Sequence, residues 1–297
     1  MTNQPSVATI EPLHQSQASP AASDNDQVKR THRSAGQKPQ ILAITNQKGG
    51  VGKTTTAINL GTALAAAGRR VLIIDCDAQG NASTGLGIDR KRRRVTTYDV
   101  LIGRASIADA EQKTTIPTLT IVPATVDLSA VEIELISDQE RNYKLHRAIA
   151  ACATEYDFIL LDCPPSLGLL TLNALCAATS VLVPLQAEFF ALEGLSMLLR
   201  TIERVKRTLN PDLQLRGIVL TMFDRRNNLS LQVESDVRSF LGERVFETVI
   251  PRNVRVSEAP SFGKPVLLYD LKCTGSSAYA MLAREMLRQD RELRKVA

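Results

Sequence analysis

The 297-residue sequence lacks the features that would place a protein in a membrane or outside the cell. No apolar run reaches the roughly 18 residues of a transmembrane helix, and the N-terminal segment is polar, without the apolar region of a signal peptide. The five cysteines include no Cys-x-x-Cys pair, and an odd number without a secretion signal favours reduced thiols. We therefore expect a cytoplasmic protein whose cysteines lie mostly in its core.

The sequence also lacks the pattern of a zinc or iron site. Its three histidines, His14, His32 and His146, are too far apart for local metal-ligand spacing. The net charge of +5 is a mild bias toward polyanions such as DNA or an acidic membrane surface. Many enzymes share such a charge, so it does not decide the function. Magnesium carried with a nucleotide is the metal that we expect.

Residues 1–38 are rich in Ser, Gln, Ala, Thr and Asn and show no apolar period. This composition predicts a disordered polar tail, because too little apolar surface is present to offset the entropy of ordering. The segment is also too short and too polar for a helix-turn-helix domain. We predict that residues 39–297 form a single domain.

From Gln40 onward, apolar runs of strand length alternate with helical patterns. Continuous Val, Ile and Leu runs indicate strands buried on both faces. The predicted fold is an α/β fold with a doubly wound, mostly parallel sheet of about eight strands and helices on both faces, and its ligand should lie at the carboxyl ends of the strands. The predicted strands are 41–44, 71–74, 119–122, 158–161, 181–183, 218–220, 245–250 and 266–268. The predicted helices are 54–67, 127–136, 139–154, 167–177, 192–209, 229–241 and 275–293.

A glycine-rich loop joins the first predicted strand to the first helix, with the sequence KGGVGKTT at residues 48–55. Backbone N–H groups of such a loop surround an anion at a helix N-terminus. The P-loop pattern G-x-x-x-x-G-K-[ST] requires glycine at position 47, where this chain has Gln47. We interpret the extra lysine as a residue offered to a nucleotide in a second subunit. The predicted phosphate-binding residues are Lys48, Gly49, Gly50, Val51, Gly52, Lys53, Thr54 and Thr55.

Aspartates follow two of the predicted strands. Asp75 and Asp77 come after strand 71–74, and Asp162 comes after strand 158–161 in a Walker B arrangement. Thr54 and Asp162 are the predicted magnesium ligands, and Asp77 is predicted to orient the attacking water, while Asp75 positions the metal shell or the loop. The predicted reaction is hydrolysis of a nucleoside triphosphate by positioning and charge neutralisation. The predicted catalytic residues are Lys48, Lys53 and Asp77.

Arginines cluster on one side of the predicted helix 192–209, opposite an apolar stripe that should face the core. Phosphate contacts by such arginines would give sequence-independent, salt-dependent DNA binding. An ordinary solvated face is the alternative. The densest basic run, Arg90–Arg94, is either an exposed loop or a further DNA contact. The predicted DNA-binding residues are Arg200, Arg204, Arg207, Arg225 and Arg226.

Four segments between Gln40 and Arg288 together resemble the ParA family of DNA-partitioning ATPases, in its Soj-like branch. They are KGGVGKTT, IDCDAQGNASTGLG, FILLDCPPSLGLLTLNAL and VIPRNVRVSEAPSFGKPVLLYD. The family usually has proline where this chain has Ala78, so the loop is expected to be slightly freer. By resemblance, the residues of the adenine-binding loop are Pro251, Arg252 and Asn253.

The resemblance implies a slow, magnesium-dependent ATPase that is cytoplasmic and associated with the nucleoid. It implies ATP or ADP and Mg²⁺ as cofactors, and an ATP-dependent sandwich homodimer in which Lys48 contacts the phosphates of the other subunit. It also implies non-specific binding to double-stranded DNA and a ParB-type partner that stimulates hydrolysis. Thus the expected function is the segregation of a chromosome or plasmid.

Two alternatives remain open from the sequence. One is a MinD-like ATPase that docks on a membrane through a C-terminal amphipathic helix. Residues Gln289–Lys295 contain one leucine and no bulky aromatic residue, a poor membrane anchor, so no stable membrane association is expected. The other is a non-catalytic, nucleotide-switched DNA-binding regulator, against which the aspartates Asp77 and Asp162 argue.

Overall fold

The computed structural model describes Met1 and residues 38–152, 155–189 and 191–296. The predicted tail, apart from its two end positions, therefore lies outside the described residues. Among these residues the core of the fold is a seven-stranded sheet. Its strands are β1 (Gln40–Ile44), β2 (Val71–Asp75), β3 (Gln112–Lys113), β4 (Leu119–Val122), β5 (Phe158–Asp162), β6 (Ser180–Gln186) and β7 (Gln214–Thr221).

The strands are arranged in the order β3-β4-β2-β5-β1-β6-β7. All neighbouring pairs are parallel except β3 with β4, which are antiparallel. Every residue of β2 and β5 is buried, as a central parallel strand requires. The prediction of a mostly parallel α/β fold is confirmed.

Helices cover both faces of this sheet. Along β2, Leu72 and Ile74 pack into one apolar cluster with the helices of residues 144–208, whereas Val71 and Ile73 pack into a second cluster with the first and last helices. This alternation follows from the pleat of a strand. In the described part of the chain the helices are α1 (Lys53–Ala66), α2 (Asn81–Gly85), α3 (Thr97–Leu101), α4 (Ile107–Ala110), α5 (Val131–Glu134), α6 (Lys144–Cys152), α7 (Leu169–Ala177), α8 (Ala191–Thr208), α9 (Asn228–Leu241), α10 (Val254–Glu258), α11 (Val266–Tyr269) and α12 (Thr274–Val296).

Two of the eight predicted strands are wrong. The segment 245–250 runs beside β7 but joins it only through isolated bridges, Ile218 with Val245 and Phe223 with Pro251. Residues 266–268 belong to the short helix α11, whose first backbone N–H donates to Asn59 Oδ1 at 2.7 Å. A run of three apolar residues is compatible with a buried strand or a buried helical turn, so sequence pattern alone could not separate them.

The last helix is fixed to the sheet by buried polar contacts. Arg216 of β7 forms an ion pair with Asp290 of α12 at 2.6 Å, with both side chains at least nine-tenths buried. Glu285 accepts hydrogen bonds from the backbone N–H groups of Glu247 and Thr248 at 2.8 and 3.0 Å. Of the helices in the described residues, none is long and apolar enough to cross a membrane.

Candidate nucleotide site

A cavity of about 510 Å³ lies at the carboxyl ends of the strands, where a doubly wound sheet binds its ligand. It collects most of the predicted phosphate, adenine and catalytic residues. Lys48, Val51 and Asp162 do not line it. The lining residues are Gly49, Gly50, Gly52, Lys53, Thr54, Thr55, Asp77, Gln79, Asn81, Pro165, Thr221, Met222, Ile250, Pro251, Arg252, Asn253, Val256, Ser257 and Tyr279.

The loop before α1 has the backbone geometry of an anion cradle. Helix α1 begins at Lys53 without a side-chain cap, so the N–H groups of its first turn are free to face an anion. Gly52 has a φ of 90°, a conformation that residues with a Cβ rarely adopt. The buried Val51 accepts a hydrogen bond on its carbonyl from Thr221 Oγ1 at 2.8 Å, which ties the loop to β7. The cradle is therefore held in shape by the protein itself.

Lys53 brings a buried positive charge to this cradle. Its side chain turns back along the loop, where Nζ donates to the carbonyl of Lys48 at 2.9 Å. Burial lowers the pKa of Lys53, and Asp162 is the strongest of the groups that oppose this change. A bound phosphate would add negative charge beside the ammonium group and favour its charged form.

Asp162 provides a test of whether the site suits a metal ion. The residue is fully buried, and neither carboxylate oxygen has a hydrogen-bond partner within 3.5 Å among the described residues. Burial raises the pKa of Asp162 well above its ordinary value, and the Thr54 hydroxyl partly opposes this rise. A buried carboxylate without partners beside a hydroxyl is a suitable oxygen donor set for a hard divalent cation. Thr54 and Asp162 are thus the residues that could hold magnesium.

The structure separates the roles of the two aspartates after β2. Asp75 is buried and accepts hydrogen bonds from Ser83 Oγ at 2.6 Å and from the Ser83 backbone N–H at 2.9 Å. Burial raises the pKa of Asp75 to about 6. Asp77 instead lines the cavity, where its Oδ1 accepts from the Gln79 N–H at 3.0 Å. Asp75 therefore anchors the loop, which is one of the two roles left open by the sequence, and Asp77 faces the ligand space.

Lys48 does not line the cavity of its own chain. Its ammonium group forms an ion pair with Glu188, in the loop between β6 and α8. The two side chains are 49% and 41% exposed, and ion pairs at that exposure contribute at most about 1 kcal/mol. Lys48 can therefore exchange this partner for a more strongly charged one at small cost.

The cavity is also lined by residues outside the phosphate loop, of which Tyr279 is one that the sequence did not reveal. Within the predicted adenine loop, Asn253 uses its side chain to cap α10 and to donate to Thr274 Oγ1 at 2.8 Å. Tyr279 reaches the cavity from α12, with its hydroxyl 3.4 Å from Thr56 Oγ1. Tyr279 lies more than two hundred residues beyond the phosphate loop and matches no motif. Gln79 and Asn81, by contrast, lie inside a segment already singled out by its sequence.

The predicted DNA-binding arginines are all exposed, on α8 and in the loop after β7. Arg207 pairs with Glu203 at 3.3 Å, and the Arg226 side chain donates two hydrogen bonds to Asp224 at 3.0 and 2.8 Å. The basic run Arg90–Arg94 divides into four exposed residues and a buried one, Arg93. Burial removes Arg93 from any surface that DNA could reach.

Asp162→Asn is expected to stabilise the magnesium-free protein. The raised pKa of Asp162 means that, above its ordinary value of 3.8, the folded chain binds more protons than the unfolded chain. Stability from this group therefore falls as pH rises. Asp162→Asn should raise the thermal midpoint at pH 7 by about 2–4 °C for each kcal/mol gained in the free energy of unfolding. It should also remove the stabilisation that magnesium gives together with nucleotide. Thermal unfolding with and without a chelator measures both effects.

Asp157→Asn is the control for this prediction, because Asp157 lies just before the same strand but is satisfied by the Arg70 N–H at 2.8 Å. It should lower the midpoint and keep the magnesium response. A lower midpoint for Asp162→Asn without metal would contradict the interpretation of this carboxylate.

The parallel sheet, the glycine loop at the N-terminus of α1 and the aspartate at the end of β5 define a P-loop nucleotide-binding domain. A family model described as an AAA domain matches residues 39–215. The chain is 63% identical over 255 residues to "Chromosome partitioning protein ParA" of Caulobacter vibrioides, covering 85% of this chain and 96% of that protein. It is 51% identical to "Sporulation initiation inhibitor protein Soj" of Bacillus subtilis, covering 83% of this chain and 98% of that protein.

Among solved structures, a Mycobacterium smegmatis protein named cobyrinic acid a,c-diamide synthase, with bound ADP and magnesium, is 39% identical with a TM-score of 0.75. The match covers 85% of this chain and 96% of that one. The chain belongs to the ParA/Soj family of chromosome-partitioning P-loop ATPases.

Proposed function

We propose that this protein is a nucleotide-driven switch that binds ATP with magnesium, forms a sandwich dimer and then binds double-stranded DNA without sequence preference. A ParB-type partner stimulates its slow ATP hydrolysis, and the cycle segregates a chromosome or plasmid in the cytoplasm. The proposal rests on the different positions of the two loop lysines. Lys53 is buried in the cradle and bonded within it, whereas the Lys48 side chain forms an exposed ion pair with Glu188.

The chemistry follows from the residues around the cavity. Thr54 and Asp162 would hold the magnesium ion, which supplies charge neutralisation at the phosphates. Lys53 adds a positive charge, and its attraction for the phosphates is stronger because little water surrounds it. Asp77 faces the ligand space and accepts a hydrogen bond from a water molecule aligned for attack on the terminal phosphate. The relative that binds ADP and magnesium supports ATP or ADP and Mg²⁺ as the cofactors.

Lys48→Ala should leave nucleotide binding intact and weaken the ATP dimer at least about tenfold. The backbone carbonyl that accepts from Lys53 Nζ is kept in this variant, so the cradle retains its internal hydrogen bond. The variant removes the charge offered to the phosphates of the other subunit, together with the exposed ion pair to Glu188. Fluorescent-nucleotide titration measures the first property and sedimentation equilibrium the second.

Glu188→Ala is the matched variant for Lys48→Ala, since it releases the lysine from its partner within the chain. It should dimerise as well as the natural protein or better. If Lys48→Ala prevented nucleotide binding by the monomer, the role of Lys48 across the dimer would be refuted.

DNA binding is proposed for the exposed arginines of α8 and of the loop after β7. A second cavity of about 600 Å³ contains Arg225 and Arg226, and it shares Pro251 and Arg252 with the nucleotide cavity. The Arg252 N–H donates to the Phe223 carbonyl at 3.0 Å, so the predicted adenine loop is joined directly to the start of the arginine loop. Nucleotide contacts with Arg252 could therefore change the position of this basic surface.

The test is binding to random-sequence duplex DNA with ATP, with ADP and without nucleotide, over a series of salt concentrations. Binding is expected only with ATP. The logarithm of the binding constant should fall linearly with the logarithm of the salt concentration. Replacing Arg204 with alanine should reduce that slope by about 0.9 for each DNA phosphate that this arginine neutralises. Arg284→Ala, at an exposed position on α12, is the control. No binding in any nucleotide state would refute the DNA-binding part of the proposal.

Membrane docking is the alternative that liposome flotation with ATP would reveal. Within the part of the chain that is described, α12 is held by the buried ion pair of Arg216 with Asp290 and by the contacts of Glu285. A helix fixed in this way cannot turn its core-facing side toward a bilayer. We therefore expect no flotation.

The second alternative, a regulator without catalysis, would show no ATP turnover even with the partner present.

A further inference from the structure

Arg93 is buried although it belongs to the most basic stretch of the chain. The residue is 7% exposed, and its guanidinium makes five hydrogen bonds, all of them to uncharged oxygens. The partners are Ile88 O at 3.2 and 2.8 Å, Gly80 O at 3.2 Å, Ala124 O at 3.1 Å and Thr84 Oγ1 at 2.8 Å. A buried charge is tolerated only when its donors are satisfied, so this arrangement is specific to arginine.

These oxygens belong to segments that surround the loop of Asp77. Gly80 caps α2 and Thr84 lies within it, whereas Ala124 follows β4. The Gly80 N–H donates to the Asp77 carbonyl at 2.9 Å, so Gly80 closes the turn that begins at Asp77. Arg93 therefore joins this turn to the end of a neighbouring strand.

Gly80 allows the guanidinium to approach the turn. Its φ is 64°, and a Cβ at this position would lie 2.5 Å from Arg93 Nη1 and 2.7 Å from the Ala124 carbonyl oxygen. On the same helix, Ser83 receives no such contact from Arg93 but links Asp75 to the Ala124 N–H, at 2.6 and 3.0 Å. Asp75 also accepts a hydrogen bond from the Asp77 N–H at 3.2 Å, so the Ser83 contacts hold the start of the turn, whereas Arg93 holds its end at Gly80.

We infer that Arg93 is a positioning residue for ATP hydrolysis, which sets the direction of the Asp77 carboxylate by fixing the turn 77–80. The inference rests on the proposed function, in which Asp77 orients the attacking water. The phosphate cradle of residues 49–55 makes no hydrogen bond with Arg93, so nucleotide affinity should not depend on it. Lysine cannot replace it, because a single ammonium group cannot reach oxygens in three segments.

The experiment is single-turnover hydrolysis of bound ATP with magnesium, together with the dissociation constant for ATP. Arg93→Met and Arg93→Lys should each hydrolyse at least about tenfold more slowly, because displacement of a catalytic group by about 1 Å has effects of this size or more. The dissociation constant for ATP should stay within about twofold of the natural value. General unfolding would not lower the hydrolysis rate while leaving this constant unchanged. Arg92→Met is the matched control, since Arg92 is exposed and its hydrogen bonds with Asp89, Arg94 and Gln112 are made by its backbone atoms, which the substitution keeps.

Thr84→Val is the second variant, in case Arg93→Met does not fold. At an exposed position, it removes the Thr84 hydroxyl, which accepts from Arg93 and donates to the Gly80 carbonyl at 3.0 Å. It should give a smaller loss of rate with the same unchanged affinity. Wild-type rates in both Arg93→Met and Thr84→Val would overturn the inference, as would equal losses of rate and affinity. Failure of the unaltered protein to hydrolyse ATP would instead overturn the proposed function.

Discussion

Lys53→Ala is expected to weaken nucleotide binding by about 100-fold, or about 2.7 kcal/mol, and to abolish dimer formation with ATP. The effect is large because Lys53 is almost completely buried, where a charge interacts with phosphate through little solvent. The variant also loses the hydrogen bond that closes the loop onto the Lys48 carbonyl. Isothermal titration with ATP and sedimentation with and without ATP measure the two losses.

The comparison with Lys48→Ala makes this prediction specific. Both variants should form less dimer with ATP, but only Lys53→Ala should also bind the nucleotide more weakly. The thermal midpoint without nucleotide shows whether the fold is kept. An ATP dimer that survives Lys53→Ala would refute the assignment of residues 48–55 as the phosphate cradle.

Asp77→Ala is expected to slow ATP hydrolysis by about 100-fold or more, the range typical of the loss of one proton-transfer or water-orienting group. Nucleotide binding should continue, because the cradle and the buried Asp162 are unchanged. The proposed cycle would then stop after dimerisation, so the ATP dimer should accumulate on DNA. Phosphate release and the lifetime of the DNA complex after dilution measure these effects.

Gln79→Ala is the matched control, because Gln79 lines the same cavity and its backbone N–H, which contacts Asp77, is kept. It should hydrolyse ATP at nearly the natural rate. Unchanged turnover in Asp77→Ala would exclude Asp77 as the water-orienting residue and would direct attention to Asn81, another polar residue that lines the cavity.

The sequence predicted correctly those parts of the molecule whose structure is determined by residues close together in the chain. Strands β2 and β5 are continuous apolar runs, which few other structures accommodate. The glycine spacing in residues 48–55 likewise requires a tight turn before a helix. The prediction of a strand at 266–268 was wrong because this segment depends on a residue distant in sequence. Asn59, in another helix, accepts the hydrogen bond at the start of α11.

The remainder of the site depends on contacts between residues distant in sequence. Among five adjacent basic residues, nothing local distinguishes Arg93, because one of the oxygens that it binds lies 31 positions later, at Ala124. Tyr279 is a buried aromatic residue on an amphipathic helix, and such residues usually only pack in a core. The electrostatic state of Asp162 is also a tertiary property, since its burial is produced by the whole sheet.

Helix α12 passes from the ligand cavity, which Tyr279 lines, to the ion pair of Asp290 with Arg216 near the opposite end of the sheet. Eleven residues separate these positions, a distance of about 17 Å along a helix. A reporter dye or fusion partner attached beyond Asp290 would therefore stand well away from bound nucleotide while remaining on a rigid connection to its pocket. Shortening the chain before Asp290 would instead leave a buried guanidinium without its counter-charge, so that truncated versions made for imaging or crystallisation should retain this residue.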